Sequence, residues 1–357
     1  MTIDERKNDH IDICLEKNVR TTTDHWDDVF VIHQAVPSID LADVDLSTEL
    51  LGKKLEAPLI ISAMTGGSSR AGKYNELLAR AASEFQIGMG VGSQRAALEK
   101  PEYAPSFSVV RDFDIPLVLG NIGAPQLSKS DGRGRNKGRE LGLEEVLTAV
   151  DMVGGDGICV HLNYLQEAIQ PEGETNVSGL LEKIRSISSR VPVVAKETGA
   201  GISREAAIEL REAGVRAIDI GGASGTSFAA VESYRSGKDR KDVGRIGHTY
   251  WDWGIPAPVS VRMARVGLPV IATGGIRNGL DITRALSIGA DTCGMAWPLL
   301  VAASKGYDEL RSELYSIIEE VRMGLFLSGG VSAISHSEMR GVITGRSREI
   351  LECLYPD

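Results

Sequence analysis

Pro116-Leu-Val-Leu-Gly-Asn121, Gly157-Ile-Cys-Val-His-Leu162 and Pro192-Val-Val-Ala-Lys196 follow one another along the chain, each a short apolar run carrying a polar side chain at or near its end. Runs this short, apolar at adjacent positions, are what strands buried on both faces require, and the segments between such runs have helical spacing. Five more runs of the same kind, at residues 58–63, 88–92, 217–220, 269–273 and 290–295, bring the number to eight. Eight is the count that closes a TIM (β/α)8 barrel, an α/β fold. An open doubly wound sheet would give a similar alternation, so closure is an inference from the count.

Helices are expected between the runs. Ser203-Arg-Glu-Ala-Ala-Ile-Glu-Leu-Arg-Glu-Ala213 has a serine able to cap its start and Gly214 to stop it. The segment from Tyr307 to Leu327 also has helical period. The expected organisation is an N-terminal arm or cover over residues 1–56, the barrel over 57–326, and a tail over 327–357 that packs on it. Two long connections, 128–139 and 227–258, have the length of lids or subunit contacts.

The 357 residues are 42% hydrophobic and 25% charged, ordinary values for a globular protein with a sizeable core. A net charge of −10 argues against general binding to nucleic acid or to an anionic membrane, so an anionic substrate would need a local basic pocket. The polar start lacks the apolar core of a signal peptide, and the chain has no long apolar run; the expected location is the cytosol. Cys14, Cys159, Cys293 and Cys353 form no CxxC pair, which leaves them as reduced structural thiols and argues against zinc and disulfides.

The densest chemistry is His161-Leu162-Asn163-Tyr164-Leu165-Gln166-Glu167. His161 and Asn163 alternate and so share one face of a strand end, with Gln166 and Glu167 following where the chain turns out. Ala272-Thr-Gly-Gly-Ile-Arg277 and Gly294-Met-Ala-Trp297 close the seventh and eighth runs, where this fold commonly builds a phosphate site from glycine-rich backbone; Arg277 would add charge. Lys196 could hold a negative charge on a ring or enolate, form a Schiff base, or pair with Glu197. Asn121 could bond a ring edge or cap its loop. Ser62-Ala-Met-Thr-Gly-Gly67 and Ser93-Gln-Arg95 place hydroxyls, amides and a cation at the same predicted rim. Arg6, Lys7 and His10 form a basic cluster that is either a solvated face or, on a folded-over arm, a means of reaching a diphosphate. Gly67-Ser-Ser-Arg-Ala-Gly-Lys73 imitates a P-loop, but Tyr74 stands where magnesium needs a hydroxyl. Neither a GxSxG elbow nor a GxGxxG after a strand is present.

Taken in order, Arg6-Lys7-x-x-His10, Ala63-Met-Thr-Gly-Gly67, Ser93-Gln-Arg95, HLN-x-x-QE at 161–167, Lys196, Gly274-Gly-Ile-Arg277 and Gly294-Met-Ala296 resemble type 2 isopentenyl diphosphate isomerase over nearly the whole chain. The resemblance implies an FMN enzyme interconverting isopentenyl and dimethylallyl diphosphate, with the flavin reduced, NADPH as its reductant, Mg2+ on the diphosphate, and a cytosolic homo-oligomer, tetramer or octamer. By family position Ser62, Ala63, Met64, Thr65, Ser93, Asn121, Lys196, Thr226, Gly275, Ile276, Arg277, Ala296 and Trp297 would hold FMN. Arg6, Lys7, His10, Ser93, Gln94, Arg95, His161, Asn163 and Gln166 would meet substrate, Glu167 the metal. Gly221 and Phe228 depart from the family pattern, where a serine and a tryptophan are frequent.

Moving an allylic double bond needs a proton delivered at one carbon and removed at another through a state with carbocation character, for which an electron-rich flavin is a suitable neighbour. The expected catalytic residues are Lys196, which would stabilise the anionic flavin, with Gln166 positioning the reacting end and His161 beside it. Glu167 could serve as acid or base instead, but a diphosphate needs a divalent cation. The alternative is an FMN-dependent oxidoreductase of the 2-hydroxy acid or dihydroorotate type; a flavin or phosphate sensor is a further rival.

Overall fold

The chain winds β1 (Val29–Val31), the hairpin strands β2 (Thr48–Leu50) and β3 (Lys53–Leu55), and then eight strands that pair in sequence: β4 (Leu59–Ile61), β5 (Gly88–Gly90), β6 (Val118–Gly123), β7 (Gly157–Leu162), β8 (Val193–Glu197), β9 (Ala217–Asp219), β10 (Val270–Ala272) and β11 (Thr292–Met295). All eight neighbours are parallel, and β11 returns to β4, closing the barrel. The structure, a computed structural model, describes residues 3–128, 140–235, 241–333 and 339–355, with side chains from Lys7 onward except at position 241. Each of the eight expected runs overlaps a barrel strand, so closure replaces the open-sheet alternative.

Period-two alternation sorts the strand side chains into two sets. Ile61, Val118, Ile158, Val160, Val193 and Ala195 pack outward in the large core shared with the helices. Ile60, Leu119, Cys159, Val194, Ala217 and Ile271 point inward and form a separate cluster with Leu50 and Leu55 of the hairpin. Two residues further along each of these strands, on the same inward parity, stand Ser62, Asn121, His161, Lys196, Asp219 and Thr273. The barrel interior is therefore an apolar floor under a polar ceiling, and the ceiling lies at the strands' C-terminal ends, where this fold builds its sites.

The helices cap as their sequences direct. Ser203 accepts from the Ala206 N–H to start the Arg204–Glu212 helix, and Gly214 follows its end with φ of 87°. Ser68, inside the P-loop imitation, caps the Ser69–Phe85 helix instead of facing a phosphate. The helix Tyr307–Ser328 runs as expected. Among the described residues no helix is long and apolar enough to cross a membrane.

Residues 3–56 reach both ends of the barrel. The Ile3–Glu16 helix lies at the mouth, but the β2–β3 hairpin plugs the opposite end: Lys53 pairs with Asp156 at 2.7 Å and Thr48 donates to the Asp291 carbonyl, both just ahead of barrel strands. β1 pairs antiparallel with β12 (Gly341–Ile343), tying the arm to the tail. The described residues of the 227–258 connection form the helices Phe228–Arg235 and Lys241–Thr249 and the start of Ala257–Ala264. The 128–139 connection lies, from residue 129, outside the described residues.

Candidate active site

The strand ends and the covering helices enclose a cavity of about 780 Å³, a size suited to a cofactor or a small ligand. It is lined by Ser62, Ala63, Met64, Thr65, Ser93, Asn121, Lys196, Thr226, Gly275, Ile276, Arg277, Ala296 and Trp297, and also by Lys7, His10, Arg95, His161, Asn163, Gln166 and Glu167. Gly221 and Phe228 face it too. Of the expected site residues, Arg6 lies outside the described side chains, and Gln94 is not among the residues that line the cavity. Its fully buried amide donates to the Ala149 carbonyl at 2.7 Å and accepts from the Asn121 N–H at 2.8 Å. After β5 the chain turns, and the Gln94 side chain stitches β6 to the Leu143–Val153 helix.

Asn121 donates through Nδ2 to the Val91 carbonyl at 3.0 Å, which leaves Oδ1 as an acceptor 2.7 Å from His161 Nδ1. His161 must therefore carry its proton on Nδ1 and present the Nε2 lone pair to the cavity. Burial, with Lys7 and Lys196 nearby, pushes this imidazole down to about 3, so it is neutral.

Lys196 is buried and pairs with Asp219 at 2.9 Å, not with the Glu197 carboxylate; from Glu197 it meets only the backbone carbonyl, at 3.3 Å. Adjacent residues on a strand face opposite sides, and Glu197 points outward, where its Oε2 accepts the N–H groups of Gly199 at 2.6 Å and Gly201 at 3.0 Å and also that of Ala200. Asp219 lies opposite Lys196 in register on β9, and its other oxygen accepts from the Thr273 hydroxyl. An ammonium so paired stays in place at the barrel axis.

The strand end at His161 runs into a short helix, Tyr164–Ile169, where the sequence had suggested that the chain turns out. That helix turns Gln166 and Glu167 inward, both buried. Asn163 Nδ2 donates to Gln166 Oε1 at 3.2 Å and Glu167 Oε1 at 3.0 Å, while its own Oδ1 is buried without a partner. Glu167 Oε2 accepts the Glu174 N–H at 2.6 Å, yet burial holds its carboxyl above the usual range. Gln166 donates to Glu232 at 2.8 Å, and Glu232 also lies 3.2 Å from His10 and pairs with Arg235. Burial opposes charge on Glu232, but His10, Arg235 and Gln166 outweigh it and hold the carboxyl down at about 2. Glu232 and Arg235 escaped the sequence reading because they stand on a helix of the long connection with no motif around them.

The glycine turn after β10 is built for close approach. Gly274 and Gly275 have φ of 89° and 84°, and a Cβ on Gly275 would lie 2.4 Å from the Ser224 carbonyl oxygen. Trp26, fully buried, donates its indole N–H to the Gly274 carbonyl at 2.9 Å. The Arg277 guanidinium is bonded to Asp281 at 3.0 and 3.2 Å and contacts Asp24. Cys14 lines the cavity, and all four cysteines are free. Among the described residues no cluster of three His, Cys, Asp or Glu could hold a metal by itself.

A profile of the FMN-dependent dehydrogenase family matches residues 10–102 and 254–340, together half of the chain. Proteins named isopentenyl-diphosphate delta-isomerase from Methanococcoides burtonii and Archaeoglobus fulgidus are 44% and 42% identical, over 98% and 99% of this chain and 96% and 99% of their own. Among solved structures, a mandelate oxidase mutant with a monooxide FMN adduct superposes with a TM-score of 0.61 at 19% identity, covering 93% of this chain and 95% of that one, a likeness of fold. The residues present fit a flavin mononucleotide: the positive-φ glycine turn gives a phosphate close access to backbone, and the Ser62 hydroxyl is buried without a partner at the cavity wall. Similar nearly end to end to those relatives, the chain belongs to the FMN-dependent dehydrogenase family and, by its relatives, to the isopentenyl-diphosphate delta-isomerases.

Proposed function

We propose that the protein interconverts isopentenyl and dimethylallyl diphosphate with reduced FMN as the proton-transferring group, NADPH as the source of the flavin's electrons, Mg2+ on the diphosphate, and a homo-oligomeric, cytosolic form. The observation that carries this reading is the meeting, in one cavity, of the glycine-rich turn and Lys196 with the separate His161–Asn163–Gln166–Glu167 cluster. FMN would rest on Ser62 to Thr65, Ser93, Asn121, Lys196, Thr226, Gly275 to Arg277 and Ala296–Trp297. When bound and reduced, it supplies an electron-rich ring able to give and take a proton beside a carbocation-like centre.

The chain's own groups would do the rest. Lys196, oriented by Asp219, holds negative charge at the barrel axis. Gln166 has both ends of its amide engaged, so it orients the reacting end of the substrate and donates no proton. Glu232, ionised, anchors Gln166. Lys7, His10, Ser93, Arg95 and Asn163 face the diphosphate; Arg95 is already braced by Glu99 at 2.7 Å and Glu174 at 2.9 Å. His161 offers a lone pair, so at neutral pH it serves the diphosphate by ordering water or a donor group, not by charge. Glu167 would hold Mg2+, whose charge would offset the cost of a buried carboxylate.

The test is an anaerobic assay with reduced FMN, isopentenyl diphosphate and Mg2+ in D2O. Dimethylallyl diphosphate carrying solvent deuterium, with no net consumption of NADPH, is expected. Stoichiometric oxidation of reductant would indicate an oxidoreductase. Glu167→Gln should raise the Mg2+ concentration for half-maximal rate by about tenfold or more, as loss of a charged ligand implies; an unaltered Mg2+ dependence would remove Glu167 from the metal.

A further inference from the structure

Arg277, the cation expected at the glycine turn, already has its guanidinium shared between Asp24 and Asp281. A second guanidinium lies at the same end of the cavity. Arg20 lines it, with its Cζ 4.0 Å from the ring centroid of Trp297, and that guanidinium makes no hydrogen bond or ion pair with a described residue. Its backbone is fixed: Arg20 bridges antiparallel to Thr226, the Thr21 N–H donates to the Gly225 carbonyl at 2.9 Å, and the Ser227 N–H donates to the Val19 carbonyl at 2.7 Å. Gly225 in turn lies so near the turn that a Cβ there would meet the Gly275 nitrogen at 2.4 Å. Three segments thus converge, and two arginines come close enough for Arg277 to help lower the Arg20 pKa, behind the larger effect of burial. Like charges brought together beside positive-φ glycines, with one fork of donors still open, describe a site for an anion with several oxygens.

We propose that Arg20 anchors the phosphate of the flavin mononucleotide, reaching it from the N-terminal segment while Trp297 holds its guanidinium flat. This rests on the flavin reading above. Because Arg20 lies four residues past the end of the Ile3–Glu16 helix that brings Lys7 and His10 to the cavity, the same segment joins the cofactor's phosphate to the substrate's end of the site.

Riboflavin has the ring without the phosphate, which separates an anchor from a packing residue. The full chain, stripped of flavin, is titrated with FMN and with riboflavin, following quenching of flavin fluorescence. For Arg20→Ala the Kd for FMN should rise by about tenfold or more, the scale of a charge-assisted fork, while that for riboflavin stays unchanged. Arg20→Lys, which keeps charge without the fork, should fall between. Arg20→Gln, which keeps the stem over Trp297, repeats the test if the alanine variant folds poorly by circular dichroism. Equal loss for both ligands would make Arg20 a packing residue and overturn the proposal. So would unchanged FMN affinity with a raised KM for isopentenyl diphosphate, which would assign the cation to the substrate. If the unaltered protein binds neither flavin, the cofactor reading fails and the proposal with it.

Discussion

His161 is held in one tautomer by Asn121 and in one charge state by burial, and both follow from its place at the inward end of β7. The folded imidazole titrates near 3 against an ordinary 6.5, so below about 6.5 the unfolded chain takes up a proton that the folded chain refuses. Its contribution is therefore present at neutral pH and declines as pH falls from 6.5 toward 3. Urea midpoints measured from about pH 7.5 down to about pH 4.5 should fall more steeply for the natural chain than for His161→Asn, which has no proton to take up. Parallel slopes would mean that the imidazole is charged in the fold. A neutral His161 also narrows its chemistry to that of an acceptor, which a charge-based assignment from sequence alone could not distinguish.

At the scale of elements, the turn after β8 hangs on one carboxylate. Glu197 gathers the N–H groups of Gly199, Ala200 and Gly201, and Thr198 and Gly199 form part of the cavity wall. Glu197→Ala should cost roughly 1–3 kcal/mol in urea unfolding, the range for buried donors left without partners, and Glu197→Gln less; equal stability of both variants would show that water takes the acceptor's place. This pairing also marks the limit of what the chain reveals by inspection. The eight strands were legible because strands buried on both faces must be continuously apolar, and the polar rim was legible because buried runs seldom end in His, Asn and Lys. Which neighbour answers Lys196 was not, since Asp219 reaches it only through the register of β8 on β9. The direction of the Gln94 side chain was not legible either: four residues past the end of β5, parity no longer says where a side chain points. The β1–β12 pair joins two three-residue strands from opposite ends of the chain, too short to carry a pattern.

Across the whole molecule, stability and chemistry are assigned to opposite ends of one barrel. An acidic chain of net charge −10 keeps Lys7, Arg20, Arg95, Lys196, Arg235 and Arg277 around a single cavity, while the barrel's other end is closed by Leu50 and Leu55 of the β2–β3 hairpin. Leu55 is fully buried there and Leu50 nearly so, against Ile60, Leu119, Cys159, Val194 and Ile271. The polar layer of Asn121, His161, Lys196 and Asp219 stands directly above, so the floor supports the site without lining its cavity. Leu55→Ala leaves a cavity that the closed ring of strands resists filling, and it should cost about 2–5 kcal/mol of stability. Because the deleted methyls face away from the mouth, the Kd for FMN and the KM for isopentenyl diphosphate should stay unchanged at temperatures where the variant remains folded. A variant that unfolds earlier yet binds and turns over normally would establish the division; one that loses flavin affinity in step with stability would show that the floor sets the height of the catalytic layer.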